Sequence, residues 1–218
     1  MTQQELLIGG AEKLGITLNV EAIDSLFVFL AELKKWNKKI NLTAITDERD
    51  IIIKHVLDSL SYFLGFDPSK PQRLLDIGSG GGFPAIPLKI TYPGLVVTLV
   101  ESTHKKAAFL RHIIRTLKLA GIEVIDKRIE DVSKTYYDTY DVVTARALAD
   151  MKSAVASGKP FLKTGGVLIL SRGPKDTLNN IQDMEESMMI LQKREEFSLP
   201  YSAYQRTLWV FQKHERYV

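Results

Sequence analysis

The 218-residue chain contains no cysteine. Disulfides, thiolate metal centres and every mechanism built on a cysteine nucleophile are therefore excluded. It has four histidines, and none stands in a spacing that predicts a metal site. No apolar run approaches the ~18 residues of a membrane span. The first residues, Met1-Thr2-Gln3-Gln4-Glu5, lack a basic stretch followed by an apolar one. These absences predict a cytoplasmic protein with no membrane and no metal. Charge of one sign is also missing: 29 Lys and Arg against 26 Asp and Glu leave a net +3. A nucleic-acid partner must then be argued from where the charges lie, not from their sum. Repeats and low-complexity segments are absent too. What is present is an ordinary globular composition, 45% apolar and 25% charged, long enough for one substantial core and a small appendage.

The densest local signal is Leu74-Leu75-Asp76-Ile77-Gly78-Ser79-Gly80-Gly81-Gly82-Phe83-Pro84. Arg73 to Ile77 reads as a short apolar strand, and a helix resumes from Ala85 to Ile90. Strand, glycine turn and helix is how a parallel α/β sheet holds a nucleotide-like ligand against backbone amides. A dinucleotide fingerprint requires glycines at relative positions 1, 3 and 6. Gly78 and Gly80 fill the first two, but the sixth is Phe83, which disfavours a nicotinamide dehydrogenase. With Asp76 ahead of the first glycine, the spacing Asp-x-Gly-x-Gly-x-Gly resembles the first motif of S-adenosylmethionine-dependent methyltransferases. Val96 to Val100 is the next strand and ends in Glu101, 23 residues after Gly78. An acid at that distance accepts hydrogen bonds from ribose hydroxyls.

Residues 1–66 read as a helical extension and 67–218 as the sheet-bearing unit. Gln3 to Leu14 is an amphipathic helix stopped by Gly15. Asn19 caps a second, whose apolar positions include Ile23, Leu26, Leu30, Leu33 and Ile40. Its other side carries Lys34, Lys35, Lys38 and Lys39, which suit either a solvated face or a phosphate-contacting patch. Asp47 caps a third helix to about Leu64, with His55 and Asp58 beside its buried stripe; they suit a metal or catalytic pair or, since no third ligand is near, more readily polar structural contacts. A helix over about 104–119 ends before Gly121, expected as its left-handed stop, and shows Arg111, Arg115 and Lys118 on one face. Strands follow at Glu123–Asp126, Asp141–Ala145 and Val167–Ser171. Leu178, Ile181, Met188 and Leu191 predict a helix after the fifth strand. Glu195–Leu199 and Thr207–Lys213 close the chain as a hairpin-like pair. The alternation predicts a mostly parallel α/β sheet of seven strands with helices on both faces.

Further strings extend the likeness over nearly the whole chain, in order: Trp36-Asn37…Asn41-Leu42-Thr43, His55-Val56-Leu57-Asp58-Ser59-Leu60, Gly82-Phe83-Pro84-x-Ile86-Pro87, Val100-Glu101-Ser102 with Lys105-Lys106, Arg128-Ile129-Glu130, and Thr144-Ala145-Arg146-Ala147. Through them the chain resembles the bacterial 16S ribosomal RNA guanine-N7 methyltransferase family, once called glucose-inhibited division protein B. Members usually carry glycine where this chain has Ala85. The resemblance implies a Rossmann-like methyltransferase fold, S-adenosyl-L-methionine as methyl donor, and small-subunit ribosomal RNA or a ribosomal particle as partner. Carried onto matching positions, it implies that Gly78, Gly80 and Phe83 line the cofactor site. Glu101, Ser102 and Thr103 hold the ribose end, and Ile129 with Glu130 flanks the adenine, although Asp131 is an equal candidate by sequence. Arg146 lies by the cofactor and positions the substrate base. Lys34, Lys35, Lys38, Lys39, Arg111, Arg115 and Lys118 become candidate RNA contacts. Guanine N7 has a free lone pair, so no general base is expected. The residues after the fourth strand also lack the Asn/Asp-Pro-Pro-aromatic pattern of amino-methylating enzymes.

Overall fold

A computed structural model describes residues 1–70, 72–146, 150–173 and 188–215. Seven strands form one sheet: β1 Arg73–Ile77, β2 Val96–Val100, β3 Ile122–Ile125, β4 Tyr140–Ala145, β5 Leu162–Arg172, β6 Met189–Ser198 and β7 Gln205–Lys213. Their spatial order is β3-β2-β1-β4-β5-β7-β6. The pairs among β1 to β5 are parallel, whereas β7 is antiparallel to both β5 and β6. The strand order reverses direction at β1 and β4, and in such sheets the crevice outside the carboxyl ends at that point is where ligands bind.

Successive residues of a strand face opposite sides, and the core divides accordingly. Leu74, Val97, Leu99, Val142, Ile169, Leu208 and Val210 join one apolar cluster. Their neighbours Leu75, Val100, Val143, Leu168, Leu170, Trp209 and Phe211 join the other. Helices α1 Gln3–Lys13 and α2 Val20–Ile40 contribute Leu6, Leu7, Leu26, Phe29 and Leu33 to the first cluster, with α5 Ala85–Thr91 and α6 His104–Thr116. The second cluster is closed by α7 Met151–Gly158.

The expected caps form at Asn19 and Asp47, whose side chains accept from the amides of Ala22 and Asp50. Gly15, at φ +76, follows α1. The third helix is not uniform. It starts as α3 Glu48–Ile51, widens to a π-helical stretch over Ile52–Leu57, returns as α4 Asp58–Leu60, and tightens to 3-10 geometry over Ser61–Gly65. The hydroxyls of Ser59 and Ser61 satisfy the carbonyls of His55 and Asp58 within it.

Two sequence expectations are corrected. Gly121 is not the stop of α6: Lys118 takes the left-handed backbone there (φ +51), and Gly121, also left-handed at φ +67, makes a separate turn just before β3. Leu191 is not helical but paired with Phe211 in β6, which begins at Met189 rather than near Glu195. Leu178 and Ile181 of that expected helix lie outside the described residues, as do Pro71 and Ala147. Among the described residues no helix is long and apolar enough to cross a membrane, and no group of three or more His, Asp or Glu could hold a metal ion.

Candidate active site

The glycine loop follows β1 at the carboxyl edge. The amides of Gly78 and Ser79 both donate to Val100 O, at 2.9 and 3.1 Å, so the loop folds back over the end of β2. Gly78, Gly80 and Gly82 have φ of +70, +53 and +91. These backbone angles favour glycine. A Cβ on Gly78 would meet nothing within 4 Å, so the loop faces open space there. A Cβ on Gly82 would lie 2.7 Å from Ile86 Cγ1, so that glycine admits α5 instead.

Two carboxylates stand behind the loop. Glu101 is buried and stitches it: Oε2 accepts from the Gly80 amide at 2.8 Å, and Oε1 from the Thr103 amide at 2.7 Å. Each oxygen keeps a further lone pair for a ligand donor. Asp76 is fully buried; Thr144 Oγ1 donates to its Oδ1 at 2.8 Å, and its Oδ2 has no partner. Burial pushes the Asp76 carboxyl up to about 7, against the opposing pull of the Thr144 hydrogen bond. A buried acceptor without a donor is complementary to a cationic or hydrogen-bond-donating group.

Beside the loop lies a second polar cluster. Arg146, just beyond β4, donates through Nη2 to Lys54 O at 2.6 Å and to His55 Nδ1 at 3.0 Å, and pairs with Asp58 Oδ2 at 3.1 Å. Arg206 Nε reaches Asp58 Oδ1 at 2.9 Å, with Ser171 Oγ at 3.4 Å. Because His55 Nδ1 accepts from a guanidinium, its Nε2 carries the proton and donates to Thr43 Oγ1 at 2.7 Å. Burial, with Arg146 adding repulsion, holds the His55 imidazole down at about 3, so it stays neutral. Thr43 is itself clamped: Asn37 accepts from its amide and donates to its carbonyl. Phe83 joins cluster and loop, its ring 4.6 Å from that of His55 and 5.8 Å from Arg146 Cζ. His55 and Asp58 are thus the structural polar contacts expected of them, organised around an arginine.

Ser102 and Thr103 are exposed just after Glu101. Ile129 is buried in the second core cluster, while Glu130 and Asp131 are both exposed on the 3-10 turn Ile129–Asp131. Lys34 pairs with Glu48, and Lys35 with Glu32 at 3.4 Å. Lys38 and Lys39 are exposed at the end of α2. Arg111 pairs with Asp126 at 3.3 Å, while Arg115 and Lys118 are exposed. Sequence reasoning did not single out Arg206 or Ser171. Neither lies in a motif, and only the strand order brings them to Asp58.

The family model described as rRNA small subunit methyltransferase G (GidB) matches residues 22–209. The chain belongs to this family. The ribosomal RNA small subunit methyltransferase G of Roseiflexus castenholzii is 47% identical over 161 residues, covering 73% of this chain and 68% of the relative. That of Acetivibrio thermocellus is 38% identical over 219 residues, covering 96% and 88%. Among solved structures, M. jannaschii TYW2 in complex with AdoMet has a TM-score of 0.53 at 21% identity, over 67% of this chain and 69% of that one. Geranyl diphosphate methyltransferase in complex with GPP and sinefungin has a TM-score of 0.57 at 14% identity, over 71% and 76%. Likeness at these identities is a likeness of fold: the sheet and its crossovers are those of Rossmann-like methyltransferases.

Proposed function

We propose that this chain transfers the methyl group of S-adenosylmethionine to N7 of a guanine in 16S ribosomal RNA, in the cytoplasm. Family membership supports the class of reaction. Two separate observations support the donor: the open space in front of Gly78, and the buried Asp76 Oδ2 without a partner at the end of β1. An α-ammonium group would satisfy that acceptor, and the ribose hydroxyls would meet Glu101 at the tip of β2. Ile129 with Glu130 or Asp131 would flank the adenine. The donor supplies a sulfonium-bound methyl group, so attack needs only a lone pair.

The chain's own work is then binding and orientation. Arg146, with the Phe83 ring beside it, would meet the base, and it is fixed by Lys54 O, His55 and Asp58 rather than left to swing. The neutral His55 is spent on Arg146 and Thr43, which leaves it unsuited to remove a proton. Guanine N7 carries none to remove, so a neutral and fully engaged His55 fits this acceptor. The exposed cations of α2, of α6 and of the turn after it, Lys38, Lys39, Arg115 and Lys118 above all, are the proposed phosphate contacts. Residues 1–66 we read as an extension of the sheet-bearing unit, with which they share an apolar cluster.

Nucleoside mass spectrometry of small-subunit RNA tests the reading directly. RNA from cells lacking this gene should lose one 7-methylguanosine, and the purified chain with S-adenosylmethionine should restore it. An unchanged nucleoside profile would overturn the assignment.

A further inference from the structure

Because β7 alone runs antiparallel, the turn from β6 to β7 returns to the carboxyl edge, where the glycine loop and Arg146 lie. Within it Leu199, Pro200, Tyr201 and Ser202 form a β-turn closed by the Ser202 amide on Leu199 O at 3.1 Å. Tyr201 occupies the third position with φ +59. That position ordinarily takes glycine or asparagine, and a bulky residue there is held against its backbone preference. Strain of this kind, at a surface turn, directs attention to function.

The ring at that strained position is neither buried nor loose. Tyr201 is 37% exposed, and its hydroxyl is seated over Gly9 of α1, where an added Cβ would lie 2.5 Å away. Lys13 Nζ stands 4.2 Å from its ring centroid, and Arg49 Nη2 donates to its carbonyl at 3.1 Å. Three residues on, Tyr204 is 44% exposed, with Lys54 Nζ 4.0 Å from its ring centroid. Lys54 is held in place by Asp50 at 2.7 Å. The same Lys54 accepts the Arg146 guanidinium on its carbonyl at 2.6 Å. One residue therefore separates the exposed Tyr204 ring from the arginine proposed to meet the target base.

Each ring is engaged by one ammonium and yet stays more than a third exposed, which leaves ring surface on which a base can stack. Bases stack on tyrosine whatever their identity, and single-stranded RNA is read largely in this way. Lys13 and Arg49 have no carboxylate partner among the described residues and can meet phosphates. Aromatic rings interleaved with cations match RNA in both base and backbone, whereas an apolar protein partner would leave those charges unpaired.

We propose that the β6–β7 turn is a stacking platform on which unpaired nucleotides flanking the target guanine lie against Tyr201 and Tyr204. This rests on the RNA reading above. The test uses the full chain, with protein-free small-subunit RNA and the assembled subunit as alternative substrates. The double variant Tyr201→Ala/Tyr204→Ala should raise KM for RNA about tenfold or more, as the loss of stacked bases predicts. Its kcat and its S-adenosylmethionine affinity should be unchanged, which also shows that it folds. Tyr201→Phe/Tyr204→Phe should match the unsubstituted protein, because the ring and not the hydroxyl stacks. In a Tyr204→Trp variant, oligouridine should quench fluorescence that the unsubstituted protein, with Trp36 and Trp209, retains. An unchanged KM on both substrates overturns the platform and leaves the proposed function standing. A KM raised on the assembled subunit without oligouridine quenching also overturns it, since the turn then meets a ribosomal protein. Failure of the unsubstituted protein to methylate either substrate overturns the function itself.

Discussion

At Asp76 one carboxylate oxygen is met by Thr144 and the other by nothing; at Asp58 both are met, by Arg146 on one side and Arg206 with Ser171 on the other. Both acids are buried at the same edge of the sheet. Their surroundings differ in completeness, and that difference separates a place to bind from a means to position. A satisfied network fixes the groups it contains. An unsatisfied acceptor carries a desolvation cost that only a donor can relieve, so it stays poised for a cationic ligand. Glu101 lies between the two cases, with both oxygens holding backbone amides and lone pairs still available.

Removing the centre of the completed network should have the largest effect. Asp58→Ala leaves two guanidinium groups facing each other without their shared counter-charge, and breaking such a pair costs about 3–5 kcal/mol. Urea unfolding should show that loss; a change below about 1 kcal/mol would mean Asp58 does not hold the cluster. The same experiment on the incomplete site should run the other way. The folded Asp76 carboxyl titrates near 7, above its unfolded value of about 3.9. Its contribution to stability is full below about pH 4 and lost as pH rises through 7. Asp76→Asn should therefore stabilise the ligand-free protein on the order of 2–4 kcal/mol at pH 8 and little at pH 4, while weakening S-adenosylmethionine binding. Stabilisation that does not grow with pH would contradict the buried charge.

Glu101→Ala should weaken S-adenosylmethionine by roughly 1.5–3 kcal/mol, the worth of hydrogen bonds to a charged group. Because Glu101 also holds Gly80 and Thr103, part of that loss is loop order. Unchanged calorimetric affinity would remove it from the ribose site. A smaller contrast separates binding from turnover. The rate at saturating RNA and donor should stay nearly flat from about pH 6.5 to 8.5, since N7 needs no base and His55, held near 3, does not titrate there. Donor affinity, by contrast, should fall below about pH 7 as Asp76 takes a proton. A log-linear rise of the saturated rate would sink the N7 assignment. The smallest effect belongs to the surface. Neutralising Lys34, Lys35, Lys38 and Lys39 together should raise KM for RNA and flatten its salt dependence, with Lys38 and Lys39 carrying most of it, because Lys34 and Lys35 already pair with Glu48 and Glu32. Unchanged salt dependence would leave the end of α2 a solvated face.

The glycine loop was legible because its chemistry is local. Three positive φ values within five residues need glycine, and an apolar run on one side with a helix on the other leaves few alternatives. The caps at Asn19 and Asp47 were legible for the same reason: donor and acceptor lie three residues apart. Where local signals misled, a competing contact had won. Leu191, at a helical interval from Met188, pairs with Phe211 instead, and Lys118 took the turn that Gly121 was suited to make.

The sequence by itself determined an α/β sheet with a ligand loop at Gly78–Gly82 and an acid at Glu101, since each follows from residue type and short spacing. The tertiary structure decided that Thr43, His55, Asp58, Arg146, Ser171 and Arg206 form one network, and that Tyr204 stands next to it. These residues span more than 160 positions, and no periodicity relates them. They meet because the order β4-β5-β7, with β7 reversed, puts the ends of β4 and β5 and the start of β7 at one edge, under the helical run that carries His55 and Asp58. A side chain's neighbours across a sheet are set by strand order, which the whole core selects and no single stretch encodes.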